Sequence, residues 1–200
     1  MKIFLTGGSG FLGSHVLKTL VQENHEIITL VNKTSIPENL KKPNLKIIKG
    51  NLLEKETFKK ELLHIDLILH IAASVKSDIE SYKNNILITK NLVDLSIEMK
   101  IKNFLFISTR GTIGISSPTT LSNDNSNNFE NLKYADNYLK SKIECETILN
   151  KYLKGISNLI ILCPTALIGP NDNRPTPIGL LLKNIINNKI KFYINGYINL

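Results

Sequence analysis

Apolar and polar positions along this chain alternate with two periods. Short apolar runs occupy Lys2–Thr6, Glu26–Val31, Leu45–Ile48, Asp66–Ile71, Asn103–Ser108 and Asn158–Leu162, each the length of a strand. Leu67, Ile68 and Leu69 are consecutive, as expected of a strand covered on both faces. Between these runs the spacing becomes helical. Phe11–Gln22 puts Phe11, Leu12, Val16, Leu17, Leu20 and Val21 on one stripe, and Glu54–Leu63, Ile79–Met99, Leu132–Lys154 and Ile178–Asn188 read as further helices. Lys191–Ile194 reads as a last strand. Asn32–Pro43 and Thr109–Asn131 are polar and read as loops; Cys163–Pro177 holds Pro164, Pro170, Pro175 and Pro177, which excludes regular structure there. Strand, helix and strand in repeated succession predict an α/β fold, a doubly wound parallel sheet with helices on both faces. No internal repeat or linker divides the chain, so residues 1–200 are expected to form a single domain.

Composition narrows the function. Hydrophobic residues make up 42% of the 200, enough for a core and too many for a disordered tail. No apolar run is long enough for a membrane helix, and the opening Met-Lys-Ile-Phe-Leu-Thr lacks the features of a secretory leader. A cytoplasmic protein with no membrane partner is the expectation. Cys145 and Cys163 form no CxxC, and His15, His25, His64 and His70 have no metal-ligand spacing, so no metal is expected. The net charge of +8 invites a nucleic-acid reading. The basic residues are nearly all scattered lysines; Arg110 and Arg174 are the two arginines, whereas readers of base edges lean on Arg. A small-molecule substrate is expected instead.

The first candidate chemistry lies between the first strand and the first helix. Thr6-Gly7-Gly8-Ser9-Gly10-Phe11-Leu12-Gly13 has the spacing of a dinucleotide fingerprint. Gly7 allows a tight turn out of the strand, Gly10 allows backbone N–H groups to approach a pyrophosphate, and Gly13 allows close helix–sheet packing. The helix N-terminus then faces the anion. Phe11 and Leu12 belong to the same turn. An acid at the end of the second strand would select NAD by bonding the ribose diol. Asn32 and Lys33 stand there, with Thr34 and Ser35 as further donors, and Lys33 suits a 2′-phosphate. NADP is therefore expected ahead of NAD, although Lys33 also fits an ordinary solvated lysine.

Tyr138-Leu139-Lys140-Ser141-Lys142 has the form Y-x-x-x-K, which on a helix puts Tyr138 and Lys142 on one face. Alone this pattern carries little. Together with the fingerprint and with Thr109 at the end of the fifth strand, it resembles the extended short-chain dehydrogenase/reductase family, whose cofactor domain is Rossmann-type. Gly50-Asn51-Leu52 resembles that family's G-D-L, Leu69-His70-Ile71-Ala72-Ala73 its H-x-A-A, and Asn85–Leu92 its N-x-x-G-T-x-N-L. Cys163-Pro164-Thr165-Ala166-Leu167-Ile168-Gly169-Pro170 with Arg174-Pro175-Thr176-Pro177-Ile178-Gly179 is similar to the branch of dihydroflavonol-reductase-like proteins and hopanoid-associated sugar epimerases.

The resemblance implies roles. Tyr138 is the general acid/base; a phenol of pKa ~10 is a poor base at neutral pH, and the Lys142 ammonium together with an oxidised nicotinamide would lower that value, Lys142 also bonding the nicotinamide ribose. Thr109, with Ser108 as rival, would position the substrate oxygen. Asn51, Leu52, Ala72, Ala73 and Pro164 would line the cofactor. Asn85 would hold backbone or water beside Tyr138, or cap a helix. Asn51 stands for the family's Asp, Ile88 for a Gly, and Cys163 for Arg before Pro164. Family members usually run well past this length, so residues 163–200 read as the start of an incomplete substrate-binding region. Three functions compete: an NADP(H)-dependent oxidoreductase acting on a carbonyl or alcohol, a nucleotide-sugar epimerase or dehydratase that recycles NAD in place, and a dinucleotide-binding protein without catalysis. The two long helices would suit a homodimer interface by family analogy.

Overall fold

The computed structural model describes residues 1–33, 35–114, 135–155, 157–173 and 175–190. Six strands, β1 (Lys2–Thr6), β2 (Glu26–Val31), β3 (Leu45–Lys49), β4 (Leu67–His70), β5 (Asn103–Ile107) and β6 (Asn158–Leu162), form one sheet in the order β3-β2-β1-β4-β5-β6. Each neighbouring pair is parallel. Chain order reverses at β1, between β2 and β4, and the C-terminal ends of β1 and β4 therefore flank a crevice. Four helices accompany the strands: α1 (Phe11–Gln22), α2 (Ile79–Glu98), α3 (Asn137–Leu153) and α4 (Pro177–Ile186).

Strand side chains alternate between two cores, as the period of two requires. Phe4, Ile28, Leu30, Ile68, Phe104 and Phe106 face α2 and α3, meeting Leu92, Leu95, Leu149 and Leu153. Ile3, Leu5, Ile27, Val31 and Leu69 face the opposite way, onto Leu17 and Val21 of α1. Each such leucine, fully buried, contributes about 1.5–3 kcal/mol. Helices thus cover both faces, as expected of a doubly wound sheet.

The departures from the sequence pattern have local causes. Glu54–Leu63 is not an α-helix; it forms two 3-10 turns, Lys55–Thr57 and Lys59–Leu62. The Thr57 hydroxyl bonds the carbonyls of Asn51 and Glu54, and Phe58 leaves helical geometry at φ −137°. That turn carries the Phe58 ring onto Phe4, 5.7 Å centroid to centroid. Helix α3 starts at Asn137 rather than Leu132, because Asp136 caps it by accepting from Leu139 N at 2.8 Å. Helix α4 includes Pro177, which the proline count had excluded. Thr176 is its N-cap, and proline is tolerated at the first helical position, where its missing N–H has no partner to lose. The expected strand Lys191–Ile194, Thr34, Arg174 and most of the Thr109–Asn131 loop lie outside the described residues. No helix among the described residues is long and apolar enough to cross a membrane, and among them no cluster of His, Cys, Asp or Glu could hold a metal.

Candidate active site

The glycine turn sits at the crevice. Gly7 has φ +77°, and a Cβ there would lie 2.8 Å from Ala72 N, so both its conformation and the close approach of the β4 end require glycine. A Cβ on Gly13 would collide with the Gly7 carbonyl. Gly10 is the N-cap of α1 and offers no side-chain cap, so the first-turn N–H groups are left to another acceptor. This cradle fits a pyrophosphate: it is floored by backbone, unobstructed by Cβ atoms and closed by a helix N-terminus. Phe11 and Leu12 are half-buried at its mouth. The Phe11 ring packs by the loop after β6, 3.4 Å from where a Cβ on Gly169 would stand. His15 bonds Pro170 O at 2.9 Å from the same helix.

The adenosine side divides the expected residues. Asn32 and Lys33 are exposed just beyond β2. Asn51 is engaged locally: its Oδ1 accepts from Leu53 N at 3.1 Å and its Nδ2 donates to Glu54 at 2.8 Å. The Leu52 side chain belongs to the core, and its carbonyl accepts from Asn91 Nδ2 at 2.9 Å. Ala72 is half-buried and Ala73 exposed beyond β4. Pro164 is half-buried after β6, its carbonyl accepting from Arg110 N at 2.9 Å.

Two of the catalytic candidates meet the end of β5: Thr109 follows it in sequence, and Lys142 of α3 bonds its last carbonyl. Asp136 also accepts from the Ser77 hydroxyl at 2.7 Å, tying the start of α3 to the approach of α2. Tyr138 therefore stands in the first turn of α3, one turn ahead of Lys142. Lys142 is 3% exposed, and its ammonium donates to Ile107 O at 2.7 Å while lying 4.4 Å over the Phe106 ring. Burial pushes its pKa down to about 8, opposed by Cys145, Glu146 and Cys163. The Ser108 hydroxyl is buried and committed to Glu146, which leaves half-buried Thr109 as the hydroxyl better placed for a substrate.

In the structure, without a dinucleotide, the Tyr138 phenol is pushed up, by burial first and then by the Asp136 carboxylate. Lys142 donates one of its three N–H groups to the Ile107 carbonyl.

A buried polar line joins β1, β4 and α2. The Thr6 hydroxyl meets His70 Nδ1 at 2.8 Å and accepts from Ile71 N and Ala72 N; His70 Nε2 meets the Thr89 hydroxyl at 3.1 Å. Asn85 grips Ser74 through both its N–H and its carbonyl and donates to the Ser141 hydroxyl at 3.0 Å, so it holds backbone rather than capping α2. Each residue lies in or beside a motif singled out from the sequence; their meeting in space had no sequence signal.

Known proteins share this chain's family and fold. The family model described as NAD dependent epimerase/dehydratase family matches residues 3–196. The chain is 32% identical to a dTDP-D-glucose 4,6-dehydratase of Dictyostelium discoideum, covering 98% of this chain and 50% of that protein. It is 30% identical to a D-erythronate dehydrogenase of Haemophilus influenzae, covering 85% of this chain and 56% of that one. Among solved structures, a dTDP-glucose 4,6-dehydratase from Bacillus anthracis in complex with NAD superposes with a TM-score of 0.77 at 25% identity, over 94% of this chain and 62% of that one. The chain thus spans about half the length of these curated relatives.

Proposed function

The chain belongs to the NAD dependent epimerase/dehydratase family, and we propose that it binds a nicotinamide dinucleotide at the Gly7–Gly13 turn and serves hydride transfer at a carbonyl or alcohol carbon of a small organic or sugar-like substrate. The observation that carries this is the glycine cradle after β1, on the same C-terminal edge of the sheet as Thr109 after β5, with Lys142 of α3 bonded to the last carbonyl of β5 and Tyr138 one turn before it. When bound, the dinucleotide supplies or accepts the hydride. Thr109 orients the substrate oxygen, and Tyr138 gives or takes its proton. Lys142, anchored on Ile107 O, presents a buried cation one turn from Tyr138.

NADP is the proposed preference, supported by exposed Asn32 and Lys33 where an acid would select NAD. A second reading, an epimerase or dehydratase that regenerates NAD in place, is favoured by the dehydratase at 32% identity. Titration of the 200-residue chain with NADPH and NADH separates them. Tighter NADPH binding, weakened by Lys33→Ala while NADH binding is spared, is the outcome for the first; equal loss for both dinucleotides refutes the role of Lys33. NAD retained through purification favours the second. In either case Tyr138→Phe should reduce turnover by at least about a hundredfold with dinucleotide affinity near wild type, and unchanged turnover removes Tyr138 from the mechanism.

A further inference from the structure

His70 is 1% exposed at the C-terminal end of β4, and its hydrogen bonds define its proton. The Thr6 hydroxyl accepts from Ile71 N at 3.2 Å and from Ala72 N at 3.1 Å. Both lone pairs of that oxygen are then engaged, and its single proton remains for His70 Nδ1 at 2.8 Å. Nδ1 must therefore be bare. On the other side the Thr89 hydroxyl has acceptors of its own, Asn85 O at 2.9 Å and Cys145 Sγ at 3.1 Å, so it can receive a proton from Nε2 at 3.1 Å. Donation runs in one sense, from Thr6 to His70 to Thr89.

We propose that His70 is a positioning residue for the cofactor cleft, held as the neutral Nε2–H tautomer so that it spans the glycine turn and the helix pair carrying Tyr138 and Lys142. On the β1 side it orients the Thr6 hydroxyl, which holds Ile71 and Ala72 against Gly7. On the helix side it holds Thr89; Asn85, one turn earlier on α2, grips Ser141, and Ser141 bonds Tyr138 O at 2.7 Å. The ring also packs on Phe106 at 5.3 Å, the ring that carries the Lys142 ammonium. A protonated His70 would break the Thr6 contact and place a second buried cation beside Lys142, the charged group that faces it among the described residues. Burial and that same cation both hold His70 unprotonated.

The assignment of a cofactor cleft rests on the function proposed above; the protonation state does not. The first experiment is a long-range proton–nitrogen NMR spectrum of the histidine-labelled 200-residue chain, with the His70 signals identified by their loss in His70→Phe. The expected result is a protonated Nε2 and a bare Nδ1, unchanged from pH 5 to pH 8. A proton on Nδ1, or titration within that range, overturns the proposal. If His70→Phe does not fold, His70→Asn makes the assignment. The second experiment measures NAD and NADP affinity by titration. His70→Phe keeps the ring but leaves Thr6 and Thr89 without it, and should weaken both dinucleotides about tenfold or more. His70→Asn, whose carbonyl oxygen replaces Nδ1 toward Thr6, should restore most of the loss. Wild-type affinity in His70→Phe refutes the positioning role. Failure of the wild-type chain to bind either dinucleotide refutes the cofactor reading, and with it the role in the cleft, while the spectrum still decides the tautomer.

Discussion

Lys142 and His70 share the Phe106 ring, and the low dielectric around it drives both toward their neutral forms. The consequences for stability differ in their pH window. Burial brings the His70 pKa down to about 3 in the folded chain, from 6.5 for the free side chain. Above 6.5 neither state binds its proton, so burial of the neutral ring carries no titration penalty. Between 6.5 and 3 the unfolded chain binds a proton that the folded chain refuses, and stability falls as pH falls through that window. Urea unfolding from pH 7 to pH 4 should therefore show an acid limb in the wild type that is flatter in His70→Asn. Equal slopes would mean that other groups set the limb. Tyr138 and Lys142 were legible because four residues make one helical turn. The Ser108–Glu146 bond, which singles out Thr109, joins residues far apart in sequence and carries no periodic signal.

Among the elements, the start of α3 decides the most. Asp136 caps the helix, bonds Ser77 and raises the Tyr138 pKa from two residues away. Asp136→Ala should cost about 1 kcal/mol of stability through the lost cap, read by thermal or denaturant unfolding. Asp136→Asn keeps a capping oxygen and removes the charge, so the Tyr138 titration, followed by phenolate absorbance, should move to lower pH. An unmoved titration would leave burial as the cause of the upward shift. Strands β1, β2 and β6 and helix α1 were legible to the residue, since apolar period and boundary signals coincide there. The Glu54–Leu63 segment was misread for a definite reason. Its apolar positions have helical spacing, but Thr57 and Asn51 bind backbone, and the pull of Phe4 on the Phe58 ring outweighs propensity.

For the molecule as a whole, the uneven cover of the sheet is the notable feature. The β1–β4 centre is sealed on both faces, whereas Ile160 and Leu162 on β6 and Ile185 and Ile186 on α4 are exposed, Ile186 at 78%. Exposed apolar side chains of this size favour association. The 200-residue chain should bind a hydrophobic dye and show a sedimentation coefficient that rises with concentration. Ile160→Thr with Leu162→Thr should reduce both. A monodisperse monomer in the wild type that binds no dye would show this surface to be innocuous.

Fold class and the identity of the chemical groups were determined by the sequence itself, because the period of apolar positions, the glycine spacing and the Tyr138–Lys142 interval are local, and local geometry follows from backbone sterics and helical pitch. Tertiary structure alone decided which groups share an environment. It put β4 beside β1, and so Ala72 against Gly7; it tied the Lys142 ammonium to the Ile107 carbonyl; and it joined Thr6, His70 and Thr89 into one line. Protonation and hydrogen-bond direction depend on dielectric and on partners distant in sequence, and both exist only once the chain has closed around them.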